Sequence, residues 1–201
     1  MNTSLVFAEL IIIGFEGGIG LAILSATLFG PKKLSRFLSY FEQWELLVVV
    51  VLLALTYVLG IIIDRFADSR FRKQEHKLDE EIVGGMPVSI PVMRFSLGTQ
   101  NDFLNQQLEY TRMRMRIVRA STINSLLIAA STAAYLFFWL PDTSPTLRLK
   151  YIAGVLAAGV FFSYACFRAW KSLIRGHLRL AKTMYDHQTR LVKRKKNARK
   201  R

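Results

Sequence analysis

Two glutamates, Glu9 and Glu16, stand seven residues apart in a stretch, 5–29, that carries no other charge. Seven residues is close to two helical turns, so both side chains fall on one helix face. A carboxylate near the middle of a bilayer costs about 2.5–3.5 kcal/mol on insertion scales. Such a group is normally set against a cavity, a water path or a polar partner. Two chemistries follow. If copies of the chain surround a common axis, Glu9 and Glu16 form stacked acidic rings, an arrangement that selects cations. If they do not, the acids join helices within one bundle, with Asn124, Ser125 and Tyr57 as available partners. Thr27 lies close to the same line on the helix, and Asn124 interrupts a later apolar run. Glu9, Glu16, Thr27 and Asn124 are therefore the candidate pore or polar intramembrane residues.

The same stretch reads GFEGGIG at 14–20. This matches neither a dinucleotide nor a P-loop fingerprint, and no strand precedes it. Small residues recur at Gly14, Gly18, Ala22 and Ala26, and again at Ser125 and Ala129 in a later run. In lipid, helices associate by close packing, and such ladders let backbones approach. These six positions are expected to be packing contacts. Ala153 with Ala157, and Gly154 with Ala158, are further expected pairs.

Arg112, Arg116 and Arg119 share a face just before the apolar run 120–140, and Arg168 follows the run 149–167. A voltage sensor would need arginines within a span, whereas these sit at span edges. Their expected role is contact with anionic lipid headgroups at the cytoplasmic face. The three histidines, His76, His177 and His187, lie in no HExxH motif, and Cys166 is the single cysteine. No Ser/His/Asp set or metal-ligand spacing can be assembled. The expectation is a protein that is not an enzyme, with no catalytic residue, metal or cofactor.

The elements that position these residues are long apolar runs. Residues 46–63 contain no charge, no proline and one glycine. Eighteen residues of helix reach about 27 Å, near the roughly 30 Å of bilayer hydrocarbon. The expected fold is all-α, a polytopic membrane protein with four transmembrane helices and long cytoplasmic helical extensions. Residues 1–63 form a transmembrane hairpin with spans at about 5–29 and 44–63. Residues 64–119 form a cytoplasmic helical segment with a Gly/Pro break at 84–91, an extended stretch at 88–97 and a capping box from Thr99 to Asp102. Residues 120–167 form a second hairpin with spans at about 120–140 and 149–167. Residues 168–201 form a cytoplasmic helix, to about residue 192, and a disordered polybasic tail.

The net charge of +14 comes from 28 Lys and Arg against 14 Asp and Glu. Ten of the basic residues lie in 65–119 and thirteen from Arg168 onward. Basic segments stay in the cytoplasm, which puts both termini inside. The setting expected is a multi-pass protein of the bacterial inner membrane. Trp44, Trp139 and Tyr151 would mark the outer interface and Trp170 the inner one. Expected partners are the membrane, anionic lipids, further copies of the chain and a cytoplasmic protein. Nucleic acid is disfavoured because no aromatics interleave the basic tract. Two functions remain: an oligomeric channel- or pore-like protein with an acidic first span, or a membrane-anchored interaction protein, an effector or sensor acting through its basic helices.

Overall fold

The computed structural model describes residues 3–40, 44–84, 102–140 and 144–198, with the side chains of 3–5, 37–38, 102–105, 187–189 and 191–198 left aside. The described chain is five helices and no strand: α1 Thr3–Phe29, α2 Pro31–Ser39, α3 Glu45–Val83, α4 Asp102–Trp139 and α5 Pro145–Ala198. The extended stretch, the capping box and most of the Gly/Pro break expected between 84 and 102 lie outside the described residues. So do the last three residues of the basic tail. Its earlier part is not a disordered segment: α5 stays helical to Ala198. No glycine or proline interrupts 177–198, and Lys and Arg are good helix formers.

Local chemistry sets the helix ends. α1 stops at Gly30, whose φ of +85° is a left-handed conformation that suits glycine. Its N–H donates to Ala26 O at 3.0 Å. Pro31 then opens α2, where its missing N–H costs nothing. Ser144 caps α5: its carbonyl accepts from Leu147 N and Arg148 N at 3.0 and 3.1 Å, ahead of Pro145 in the first helical position. α3 ends where Gly84 N donates to Glu80 O.

Four helices, all but α2, are long and apolar enough to cross a membrane. The chain divides into two compact units. The larger comprises Asn2–Arg70 and Arg116–Ala169, the four apolar stretches. The smaller comprises Phe71–Met115 and Trp170–Arg201. The larger unit takes in 64–70 and 116–119, which composition alone had grouped with the cytoplasmic segment. The reason is electrostatic: the charged residues there pair with one another, as described below.

Within the larger unit, α1 packs on α3, α1 on α4, and α4 on α5. A Cβ on Gly14 would strike the backbone at Thr56, and one on Gly60 the backbone at Leu10. Leu10 opposite Gly60 and Gly14 opposite Thr56 is an antiparallel register, and only glycine permits so close a crossing. α4 and α5 are also antiparallel. Ser163 Oγ donates to Thr122 O at 2.9 Å, and a Cβ on Gly159 would strike Ala129. α1 and α4 run parallel, because contacts between them advance together from Glu9 to Thr27 and from Arg116 to Trp139.

The expected packing ladder is realised only in part. Gly14 is at the crossing, and Ser125 and Ala129 face Gly159. Gly18 makes ordinary contact with Thr56, whereas Ala22 is exposed and Ala26 half-buried. The pairs expected from Ala153 and Gly154 also fail: both residues are exposed, as are Ala157 and Ala158, and nothing lies near Gly154. Close approach needs a small residue on both helices at one depth, and Gly60 and Gly159 supply it where the ladders do not. The outward faces are large and apolar, such as Leu46, Leu47 and Val50 on α3 and Val160, Phe161 and Phe162 on α5. A lipid solvent makes that exposure costless.

The smaller unit has its own core of Phe71, Leu78, Val83, Leu108, Met115, Trp170, Ile174 and Leu178. Phe71 and Trp170 meet edge to face with centroids 4.9 Å apart. Trp170 is 1% exposed, so it is a core residue and not the interfacial anchor expected of it. Lys182 Nζ donates to Ile82 O at 2.7 Å.

Candidate functional site

A polar seam runs between α1 and α4 in the larger unit and begins at a charged cluster. Asp64 and Asp68 on α3 follow directly on the apolar run of that helix. Arg116 and Arg119 on α4 directly precede Ala120, where its apolar run starts. The two apolar runs therefore end at one level, and opposite charges meet there. Arg116 Nη2 donates to Asp64 Oδ2 at 2.7 Å, and its Nε lies 3.0 Å from Glu9 Oε1. Arg119 donates to Asp68 Oδ1 at 2.7 Å and to Asp64 Oδ1 at 3.2 Å. Glu9, Asp64 and Arg119 are buried. Three carboxylates and two guanidinium groups thus join α1, α3 and α4, leaving one formal negative charge over.

Further along the seam lies Glu16, about 10 Å from Glu9 at 1.5 Å per residue. Its carboxylate accepts from Ser121 Oγ at 2.8 and 3.0 Å and from Asn124 Nδ2 at 3.2 Å. The same Nδ2 donates to Ile13 O at 3.1 Å. Among the described residues, no basic side chain lies within ion-pair distance of Glu16. Asn124 is 1% exposed, and its Oδ1 has no hydrogen-bond partner among the described residues. That oxygen lies over the bare Cα of Gly17, 3.4 Å from where a Cβ would stand.

Beyond Glu16 the seam turns apolar, as Gly20 packs against Leu127 and Ile128. At its far end Trp139 Nε1 donates to Thr27 O at 2.9 Å, and the indole covers Gly30. Thr27 is buried and turns its own hydroxyl back to Ile23 O. Arg148 on α5 donates to Leu140 O and Phe137 O at 2.7 and 3.3 Å, satisfying carbonyls at the end of α4.

The expected sites are therefore redistributed. Glu9 is 2% exposed and paired within its own chain, so it does not face outward toward a ring of copies. Glu16 meets Asn124, as the within-bundle alternative anticipated, and Ser121 takes the place expected of Ser125 or Tyr57. Arg116 and Arg119 turn inward to carboxylates and are not free for headgroups. Arg112 is exposed beside Glu109 at 3.7 Å, and Arg168 is exposed. Asp64, Asp68 and Ser121 also belong to the site, where no expectation had placed them. A usable signal existed: acids end one apolar run at the depth where arginines begin another. Among the described residues no group of His, Cys, Asp and Glu could hold a metal ion. Comparison with protein-family models, curated proteins and solved structures finds no match.

Proposed function

We propose that this is a channel-like membrane protein whose cation path follows the α1–α4 seam of each chain. The observation that carries the reading is Glu16. It is a carboxylate beyond the charged cluster, held by an alcohol and an amide, with no basic partner among the described residues. A negative group of this kind in a low-dielectric setting attracts cations strongly. The paired charges at Glu9, Asp64 and Arg116 form the mouth of the path, and the contact of Gly20 with Leu127 and Ile128 closes it. The outward face of α1 presents Phe7, Ile12, Phe15 and Ile19. Assembly through that face would bring apolar side chains to a shared axis, so the acidic path belongs within a chain. The excess of Lys and Arg in 65–119 and from Arg168 onward supports a cytoplasmic location for both termini, in a bacterial inner membrane. The test is cation flux through proteoliposomes holding the full chain. Leu127→Ser should raise flux by wetting the apolar contact, and Glu16→Gln should lower it in that background. Flux indifferent to both changes overturns the reading.

A second reading, a membrane-anchored interaction protein, is favoured by the smaller unit. That unit has a core of its own, and residues 168–201 carry one acid, Asp186, against thirteen Lys and Arg. Anionic lipids at Arg112 and Arg168 and an acidic cytoplasmic protein are its expected partners. A photo-crosslinker at Arg179 should trap one protein repeatedly in intact cells, and Arg179→Glu should abolish the adduct. Adducts with lipid alone would refute the protein partner.

A further inference from the structure

We infer that Glu16, Asn124, Ser121 and the carbonyl of Ile13 form a binding site for a dehydrated monovalent cation of the sodium class. The inference rests on the channel reading and names what the seam takes. Two separate observations point to a ligand: the carboxylate of Glu16 lacks a basic partner among the described residues, and the buried Oδ1 of Asn124 lacks a donor among them. A buried acceptor without a donor is costly; this one lies over Gly17, so a cation beside the carboxylate reaches it only once the amide turns.

The side chain of Asn124 explains how one residue serves both the empty and the filled site. As described, its Nδ2 donates to Glu16 Oε2 and to Ile13 O, which tempers the negative charge of the empty site. The terminal torsion of asparagine is broad, so the amide can turn and exchange Nδ2 for Oδ1. Oδ1 then faces the carboxylate side. The turn also frees Ile13 O and Glu16 Oε2 from the donor they share. Four oxygens from two parallel helices then converge: a carboxylate, an amide, a hydroxyl and a main-chain carbonyl. All are hard donors, which suit sodium or lithium and not a soft transition metal. Ser121 Oγ is already 2.8 and 3.0 Å from the two carboxylate oxygens. The single charge of Glu16 fits a monovalent ion.

The experiment reads occupancy and not transport, so it fails separately from the flux test. The full chain in detergent is treated with dicyclohexylcarbodiimide, which modifies carboxyl groups that are protonated in apolar surroundings, and adducts are mapped by mass spectrometry. Choline replaces sodium, lithium or potassium at constant ionic strength. Glu16 should be modified in choline, and several-fold more slowly in sodium or lithium than in potassium. Asn124→Leu should keep the modification and lose the sodium protection. Equal rates in all four salts, or no adduct at Glu16 in choline, overturn the site. Sodium protection that survives Asn124→Leu overturns the role given to the amide.

Discussion

Arg116→Met removes the guanidinium that bridges Glu9 and Asp64, and its cost can be worked from the geometry. Arg116 Nε lies 3.0 Å from Glu9 Oε1 and Nη2 lies 2.7 Å from Asp64 Oδ2. At such a distance, with an effective dielectric constant near 20, each attraction is about 5–6 kcal/mol before desolvation is subtracted. Desolvation cancels much of this, but it is not recovered when only one partner is removed. Breaking a buried pair from one side costs about 3–5 kcal/mol. Glu9 is 2% exposed and the Arg116 side chain 27%, so the upper half of that range applies to the carboxylate. Asp64 keeps Arg119 at 3.2 Å, which limits the loss on its side. Arg116→Met should therefore destabilise the folded chain by about 3 kcal/mol or more. Glu9→Gln should cost less, and the double variant should recover part of the loss. The assay is a double-mutant cycle by SDS titration in mixed micelles, followed by circular dichroism. A coupling of about 1–3 kcal/mol is expected, and additivity within about 0.5 kcal/mol would refute the pairing. Arg112→Met, at an exposed ion pair with Glu109, should move the midpoint by less than about 0.5 kcal/mol.

Gly60→Leu should destabilise by about 1–3 kcal/mol or more through overpacking at the α1–α3 crossing. Gly154→Leu, where nothing lies within 4 Å, should be near neutral in the same titration. Equal effects would refute the crossing. Trp139→Phe loses the donor to Thr27 O and should cost about 1 kcal/mol. A Trp139→Phe variant as stable as wild type in the same titration would count against the bond. Arg148→Met uncovers carbonyls at Phe137 and Leu140 and should cost about 1–2 kcal/mol, read as faster hydrogen exchange in the last turn of α4. Exchange at the wild-type rate would refute the cap.

The four apolar helices were legible because their signal is local. The run 46–63 has no polar period, and any helix built from it must be surrounded by lipid or protein. Leu108 and Met115 stand seven residues apart and so share one face of α4, and both are buried. Most partners were less legible. Asp68 has Arg72 one turn along its own helix, yet it pairs with Arg119 across the bundle. The i,i+4 rule ranks neighbours on one helix, whereas a buried arginine on another helix offers a far stronger field. Gly60 and Gly159 carried no visible pattern because each is a lone glycine whose counterpart lies on another helix. Glu16 was singled out because charge in an apolar run is conspicuous. Asn124 was among the donors available to it from the sequence, whereas Ser121 follows only from the parallel alignment of α1 and α4.

That parallel alignment has a consequence for how the chain is made. Glu9 and Glu16 leave the ribosome more than one hundred residues ahead of Arg116, Ser121 and Asn124. The first hairpin must therefore enter the membrane with two acids whose partners on α4 have not yet been synthesised. Until the second hairpin arrives, the cost of burying them falls on the first hairpin alone. A nascent chain stalled before Ser121 should be a preferred substrate for membrane proteases, and one released after Trp139 should escape them.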